Sequence, residues 1–194
     1  CKVLSLIDDK KFPVIVGGNH SISIGAVKAF SMKYDKITVL QLDAHSDLRD
    51  EYEGSRYNHA CVMARVREYT PIVQLGIRSM SAEERKNAVM DRIFFSHELY
   101  RDKSLYRKAI SMLTENVYIT IDLDVFDPSL IPSTGTPEPG GPCYYEIMHF
   151  LHDVALSRNV VGFDIVELCP VSSNKAPDFV AAKIIYQLLS YIFA

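Results

Sequence analysis

The 194-residue chain is 48% hydrophobic and 23% charged, a length and balance that describe a globular domain with a sizeable core and argue against disorder. Its formal net charge is −3 and no run of Lys or Arg is long enough to follow a phosphate backbone, which excludes nucleic acid as a partner and favours a small molecule. No apolar stretch approaches the roughly 20 residues of a membrane-spanning helix and no leader-type segment opens the chain, so a cytoplasmic protein with no membrane partner is expected.

In chain order, Val3, Leu4 and Ile7 carry the spacing of a helix already under way, so residues 1–194 are expected to form a single domain lacking an N-terminal segment. Short apolar runs rich in β-branched residues follow at 12–16, 37–42, 72–75, 93–95, 117–121 and 160–165, the pattern of buried strands. Residues 22–32, 59–69, 82–90, 105–113, 144–156 and 179–192 instead space apolar side chains by three and four, as amphipathic helices do. Strand alternating with helix predicts a doubly wound α/β fold, a mostly parallel sheet with helices on both faces. Four scattered cysteines, Cys1, Cys61, Cys143 and Cys169, form no CxxC pair and are expected to be reduced thiols, mostly buried.

The long irregular stretches, 43–58 and 124–142, both directly follow predicted strands, and ligands of open α/β sheets bind beyond the carboxyl ends of strands. The first begins Asp43-Ala44-His45-Ser46-Asp47; in extended chain, residues two apart share a side, so Asp43, His45 and Asp47 can converge. Taken singly, each is equally a polar loop residue or a helix cap. Three ligand-type residues at alternate positions are harder to explain that way. The strand 117–121 ends in Asp122-Leu123-Asp124, two carboxylates on one side with Leu123 turned to the core, an arrangement costly to bury without a cation. Gly17-Gly18-Asn19-His20-Ser21 is a weaker signal, a tight turn that projects His20 over the sheet edge or an ordinary connection capped by Asn19 or Ser21. Together, four carboxylates and two imidazoles suffice for two hard to borderline divalent ions such as Mn²⁺, and ions about 3.5–4 Å apart can share a water and lower its pKa. A metal-dependent hydrolase is the expectation.

At these residues the sequence resembles the ureohydrolase family, manganese enzymes that include arginase, agmatinase and guanidinobutyrase. Gly-Gly-Asn-His-Ser from Gly17, Asp-Ala-His-Ser-Asp from Asp43, Ile-Asp-Leu-Asp-Val-Phe-Asp-Pro from Ile121 and Gly-Phe-Asp-Ile-Val-Glu-Leu-Cys-Pro from Gly162 are similar to the family's signature segments, in the family's order. The resemblance implies an arginase-like three-layer α/β/α fold and two Mn²⁺ per subunit. His20, Asp43, Asp47 and Asp122 would hold one ion and His45, Asp43, Asp122 and Asp124 the other, with Asp43 and Asp122 bridging. It also implies a symmetric homo-oligomer, a trimer or hexamer. Two departures are Asn19, where the family usually has an acidic residue, and a start well inside the family's usual length.

The acidic stretch 49–60 and Thr134-Gly135-Thr136-Pro137-Glu138-Pro139-Gly140-Gly141 are similar to agmatinase rather than arginase. Agmatine, with a guanidinium, an ammonium and no carboxylate, asks for anions and no dedicated cation. The resemblance makes Glu167 the guanidinium anchor, a planar fork to a carboxylate. It makes His59, a side chain type that can carry and release a proton near neutral pH, the proton donor to the departing amine. The alternatives are a surface Glu167 at a strand end and a His59 that caps a helix or packs. Asp164 is a candidate for supporting the site through hydrogen bonds, while His97, His149 and His152 lack ligand spacing. The expected reaction is agmatine to putrescine and urea, with guanidinobutyrase or arginase activity as alternatives. A two-metal phosphoesterase also uses Asp-x-His and Gly-Asn-His, but here their order is reversed and no late Gly-His-x-His follows. A binding protein on the same fold would be expected to have lost ligands, and all six candidates are present.

Overall fold

Six of the apolar runs become strands in the computed structural model, which describes residues 2–194: β1 (Val14–Val16), β2 (Ile37–Leu42), β3 (Ile72–Ile77), β4 (Ile93–Phe95), β5 (Asn116–Asp122) and β6 (Asn159–Val166). They pair in the order β1-β6-β5-β2-β3-β4, and every pairing is parallel, so the mostly parallel sheet expected is wholly so. β2 and β3 are buried along their whole length, and β5 and β6 beyond their first residue, as strands covered on both faces must be. β1 is shorter than the apolar run 12–16 because Pro13 has no N–H for the ladder and only its carbonyl is used, by Phe163 N at 3.3 Å.

Helices α1 (Lys2–Asp8), α2 (Ile22–Ser31), α3 (Val62–Val66) and α4 (Ala82–Asn87) belong to the first half of the chain. α5 (Ser96–Arg101), α6 (Ser104–Ser111), α7 (Tyr144–Ser157) and α8 (Ala176–Phe193) belong to the second. Val27, Phe30, Val62 and Val66 of α2 and α3 pack with Val39 and Tyr118 on one face of the sheet. Leu99, Ala109, Leu151, Ile184 and Leu188 of α5 to α8 pack with Leu40, Leu75, Ile119 and Phe163 on the other. Helices therefore cover both faces. α5 was not anticipated; the single helix expected over 59–69 is instead a 3₁₀ turn, His59–Cys61, followed by α3. Asn58 starts that turn by accepting from Ala60 N, which sets His59 at its head. α4 stops at Asn87, short of the expected 90, because a second 3₁₀ turn, Met90–Arg92, leads into β4. Of the described cysteines Cys61 is buried, while Cys143 and Cys169 are exposed, contrary to the expectation that most are buried. Among the described residues no helix is long and apolar enough to cross a membrane.

This strand order has one topological break. β2 runs on to β3 in one direction across the sheet and β5 to β6 in the other, while β2 and β5 lie side by side with Leu42 opposite Ile121. The crevice of a doubly wound sheet opens at such a point, beyond the strands' carboxyl ends. The next residues are Asp43 and Asp122.

Candidate metal centre

β2 and β5 deliver their carboxylates side by side, and the turn after β1 places His20 over them. His20 Nδ1 lies 3.3 Å from Asp43 Oδ2, 3.2 Å from Asp47 Oδ2 and 3.3 Å from Asp122 Oδ2. His45 Nδ1 lies 2.9 Å from Asp124 Oδ2 and 3.6 Å from Asp43 Oδ1. Two groups that could hold a metal ion result, His20 with Asp43 and Asp47, and Asp43 with His45 and Asp124. Asp43 belongs to both groups. The structure thus brings all six candidate ligands together.

The route to two of them differs from the expectation. Asp47 does not continue an extended alternation; its backbone is left-handed, φ 53°, which turns its side chain back to the site. Gly17, in contrast, is not left-handed; a Cβ there would meet the tip of the exposed Ile22 side chain, which would have to turn aside.

Hydrogen bonds to surrounding groups settle the His20 tautomer. Thr120 Oγ1 donates to Asp164 Oδ1 at 2.6 Å, so at 2.9 Å from His20 Nε2 it can only accept, and Nε2 carries the proton. Tyr118 Oη donates to the other Asp164 oxygen at 2.7 Å, so Asp164 supports the site through hydrogen bonds as expected. In the neutral ring Nδ1, a buried atom with no hydrogen-bond partner, would aim its lone pair at three carboxylates. A proton on Nδ1 or a metal ion between them relieves that repulsion, and the metal must displace the proton. With carboxylates and imidazoles as the donors, the residues fit a hard to borderline divalent ion.

The pKa shifts show the same excess of negative charge. Burial works against an imidazolium at His20, but Asp122, Asp43 and Asp47 outweigh it and hold its pKa well above 6.5. Burial likewise opposes charge on His45, yet Asp124 and Asp43 lift it to about 11. Burial and the Asp43 charge push Asp47 up to about 7, and burial with the Asp43 and Asp124 charges drives Asp122 up as well. Burial and Asp43 raise Asp124, whereas Asp43 is lowered, because the His20 and His45 contacts overcome its burial.

Above the centre lies a cavity of about 290 Å³ whose lining includes Glu167, His59, Arg49, Tyr52, Thr136 and Asn19. Glu167 also has a left-handed backbone, φ 64°, and its Oε1 accepts from His20 N at 2.5 Å. Such conformations are uncommon outside glycine and cost on the order of 1–3 kcal/mol, and here two of them, at Asp47 and Glu167, aim carboxylates into one cavity. Glu51 and Glu53 of the acidic stretch do not line it; Arg49 does, its guanidinium 4.8 Å over the Tyr52 ring and 3.9 Å from Glu84.

Two residues that the sequence pattern did not single out brace the site. Glu84 is buried and accepts from Ser46 Oγ at 2.7 Å and Leu48 N at 3.1 Å, which pins the chain on either side of Asp47. Its capping box with Ser81 is legible in Ser-x-x-Glu, but its reach across to Ser46 is not. Arg78, just past β3, donates to backbone carbonyls of several loops around the centre. His97, His149 and His152 sit against aromatic rings, away from the cavity.

Known proteins resemble the chain in sequence and in fold. The arginase family model matches residues 2–190. An N(1)-aminopropylagmatine ureohydrolase of Synechocystis sp. is 38% identical over 195 residues, 97% of this chain and 63% of its own length. An agmatinase of Pyrococcus horikoshii is 36% identical over 189 residues, 97% of this chain and 65% of its own. The crystal structure of agmatine ureohydrolase of Thermoplasma volcanium matches with a TM-score of 0.88 at 32% identity, covering 98% of this chain and 66% of that one. The chain thus spans a little under two thirds of the length of these curated relatives. With a match over nearly every described residue, the chain belongs to the arginase family.

Proposed function

We propose that this chain is the catalytic part of a manganese-dependent hydrolase that splits a cationic guanidine, agmatine first, into urea and an amine. The observation that carries the reading is Asp43, shared by two ligand groups on the floor of a cavity whose wall presents Glu167 and His59. His20, Asp43, Asp47 and Asp122 would hold one Mn²⁺, and His45, Asp43, Asp122 and Asp124 the other. When bound, such a pair supplies a water of lowered pKa and neutralises charge that develops as the guanidinium carbon becomes tetrahedral.

The chain's own groups do the rest. Glu167, with Oε1 fixed by His20 N, offers Oε2 to the guanidinium N–H groups and so sets the carbon over the floor. Water adds to that carbon, the C–N bond to the alkyl chain breaks, and the leaving nitrogen needs a proton. His59, at the head of its 3₁₀ turn on the cavity wall, gives that proton and regains one from the added water. Urea and putrescine leave. The relatives named agmatinase and N(1)-aminopropylagmatine ureohydrolase support a substrate with an amine tail. The reading extends to a cytoplasmic homo-oligomer, a trimer or hexamer, which light scattering would check.

Arg49 favours a second reading. A guanidinium on the cavity wall would meet the carboxylate of guanidinobutyrate or arginine, although here its charge faces Glu84 and the Tyr52 ring. Urea release with Mn²⁺ from agmatine, N(1)-aminopropylagmatine, guanidinobutyrate and arginine separates the two. Preference for the amine-tailed substrates supports the first, preference for either carboxylate the second, and hydrolysis of a phosphate ester instead would overturn both.

A further inference from the structure

Arg78 is a half-buried guanidinium with no carboxylate within 4.0 Å among the described residues, an unusual use of a charged side chain. Its partners are backbone carbonyls. Nη1 donates to Gly76 O at 3.0 Å and Val125 O at 3.2 Å, Nη2 to Asp124 O at 2.7 Å and Phe126 O at 3.3 Å. The remaining bonds cross to the Pro- and Gly-rich loop, Nη2 to Glu138 O at 2.8 Å and Nε to Pro139 O at 3.1 Å. Its backbone N–H donates to Ala44 O at 2.8 Å, between Asp43 and His45, and Ala44 N in turn donates to Asp124 Oδ1 at 3.1 Å. One residue therefore touches three separate segments that meet at His45.

The chain bends to make this reach. β3 carries a register shift between Leu75 and Ile77, and Gly76 there has φ 95° with Asp43 O only 3.1 Å from where a Cβ would be. On the far side, the Glu138 carboxylate whose backbone Arg78 holds lies 3.9 Å from His45 Nε2, while His45 Nδ1 faces Asp124. A carboxylate behind a ligating imidazole is a common device for fixing its tautomer and direction.

We infer that Arg78 and Glu138 are positioning residues for the His45 and Asp124 half of the centre, Arg78 by locking the Asp124 and Glu138 backbones together and Glu138 by orienting His45. This rests on the two-ion reading of the site. Lysine cannot replace Arg78, because its three donors at one point do not span carbonyls on three segments.

The test is calorimetric titration of the metal-stripped chain with Mn²⁺, for the parent, Arg78→Lys and Glu138→Gln, with thermal melting alongside. The parent takes two equivalents. In both variants one of the two steps weakens, by about 10- to 100-fold in Arg78→Lys and less in Glu138→Gln, and excess Mn²⁺ restores urea release, which a merely structural defect would not allow. Glu138→Gln removes only a solvent-reaching charge and serves if Arg78→Lys fails to fold. Two unchanged steps in folded variants, or turnover lost beyond rescue by Mn²⁺, would overturn the inference while leaving the proposed reaction standing. A parent that binds no Mn²⁺ would overturn both.

Discussion

His20 is 1% exposed, with Nε2 on Thr120 of β5 and Nδ1 enclosed by Asp43, Asp47 and Asp122, whereas the His45 side chain is 25% exposed and leans on a Pro- and Gly-rich loop. The first is held through Thr120 and Asp164, neighbours across β5 and β6 whose spacing the strand ladder sets. The second is held through Arg78 and Glu138, from chain that has left the sheet. The same ligand chemistry is thus fixed in two ways, by interior hydrogen bonds and by a cation that ties loops together. Asp43 joins the halves, its Oδ2 accepting from Gln41 Nε2 at 2.6 Å and its Oδ1 from His45 N at 2.6 Å.

The largest loss is expected at Asp43, the residue both halves use. Asp43→Ala is expected to remove both Mn²⁺ ions and lower turnover about a thousandfold or more, several kcal/mol at about 1.4 kcal/mol per tenfold. Asp124→Ala should release the ion on the His45 side and leave the other measurable by calorimetry; equal loss of both would deny that the halves are separable. His59→Asn lies outside either half, so it should slow turnover about a hundredfold with both metal steps intact, and parallel loss of metal would deny it a proton-transfer role. Thr120→Val sharpens the contrast from the other side. Without its acceptor, His20 loses the fixed tautomer, and Mn²⁺ affinity should fall about tenfold or more at the His20 step alone.

The smallest effect is on pH. His45, lifted to about 11, and Asp47, lifted to about 7, both hold protons near pH 6 and must give them up to take a metal. Apparent Mn²⁺ affinity should therefore tighten as pH rises from about 6 to about 8, with proton release visible as a dependence of the binding enthalpy on the buffer. In the metal-free chain the sign is opposite for His45. Its folded pKa lies above the unfolded 6.5, so the stability it contributes is complete below 6.5 and lost as pH rises through about 11. Metal affinity independent of pH would contradict the account.

Continuous apolar runs sufficed for the strands, which are covered on both faces, and period-3.6 spacing for most helices, which bury one face against the sheet. They missed α5, whose six residues carry too few apolar positions to show a period, and overran the 3₁₀ turns, where cap geometry rather than periodicity decides. Asp43, His45, Asp122 and Asp124 stood out because strand ends expose short motifs. Asp47 reaches the cluster by a route the sequence did not suggest, since a left-handed residue cannot be read from alternation. Arg78 was invisible. Its partners are carbonyls, which every residue carries, so nothing in the sequence marks where a guanidinium will find six of them.

The central claim, that two ions on a shared Asp43 serve guanidine hydrolysis, is tested most directly by following urea release from agmatine while the metal-stripped chain is titrated with Mn²⁺. Activity should stay low through the first equivalent and rise through the second. Full activity at one equivalent, or no urea at any loading, would contradict it.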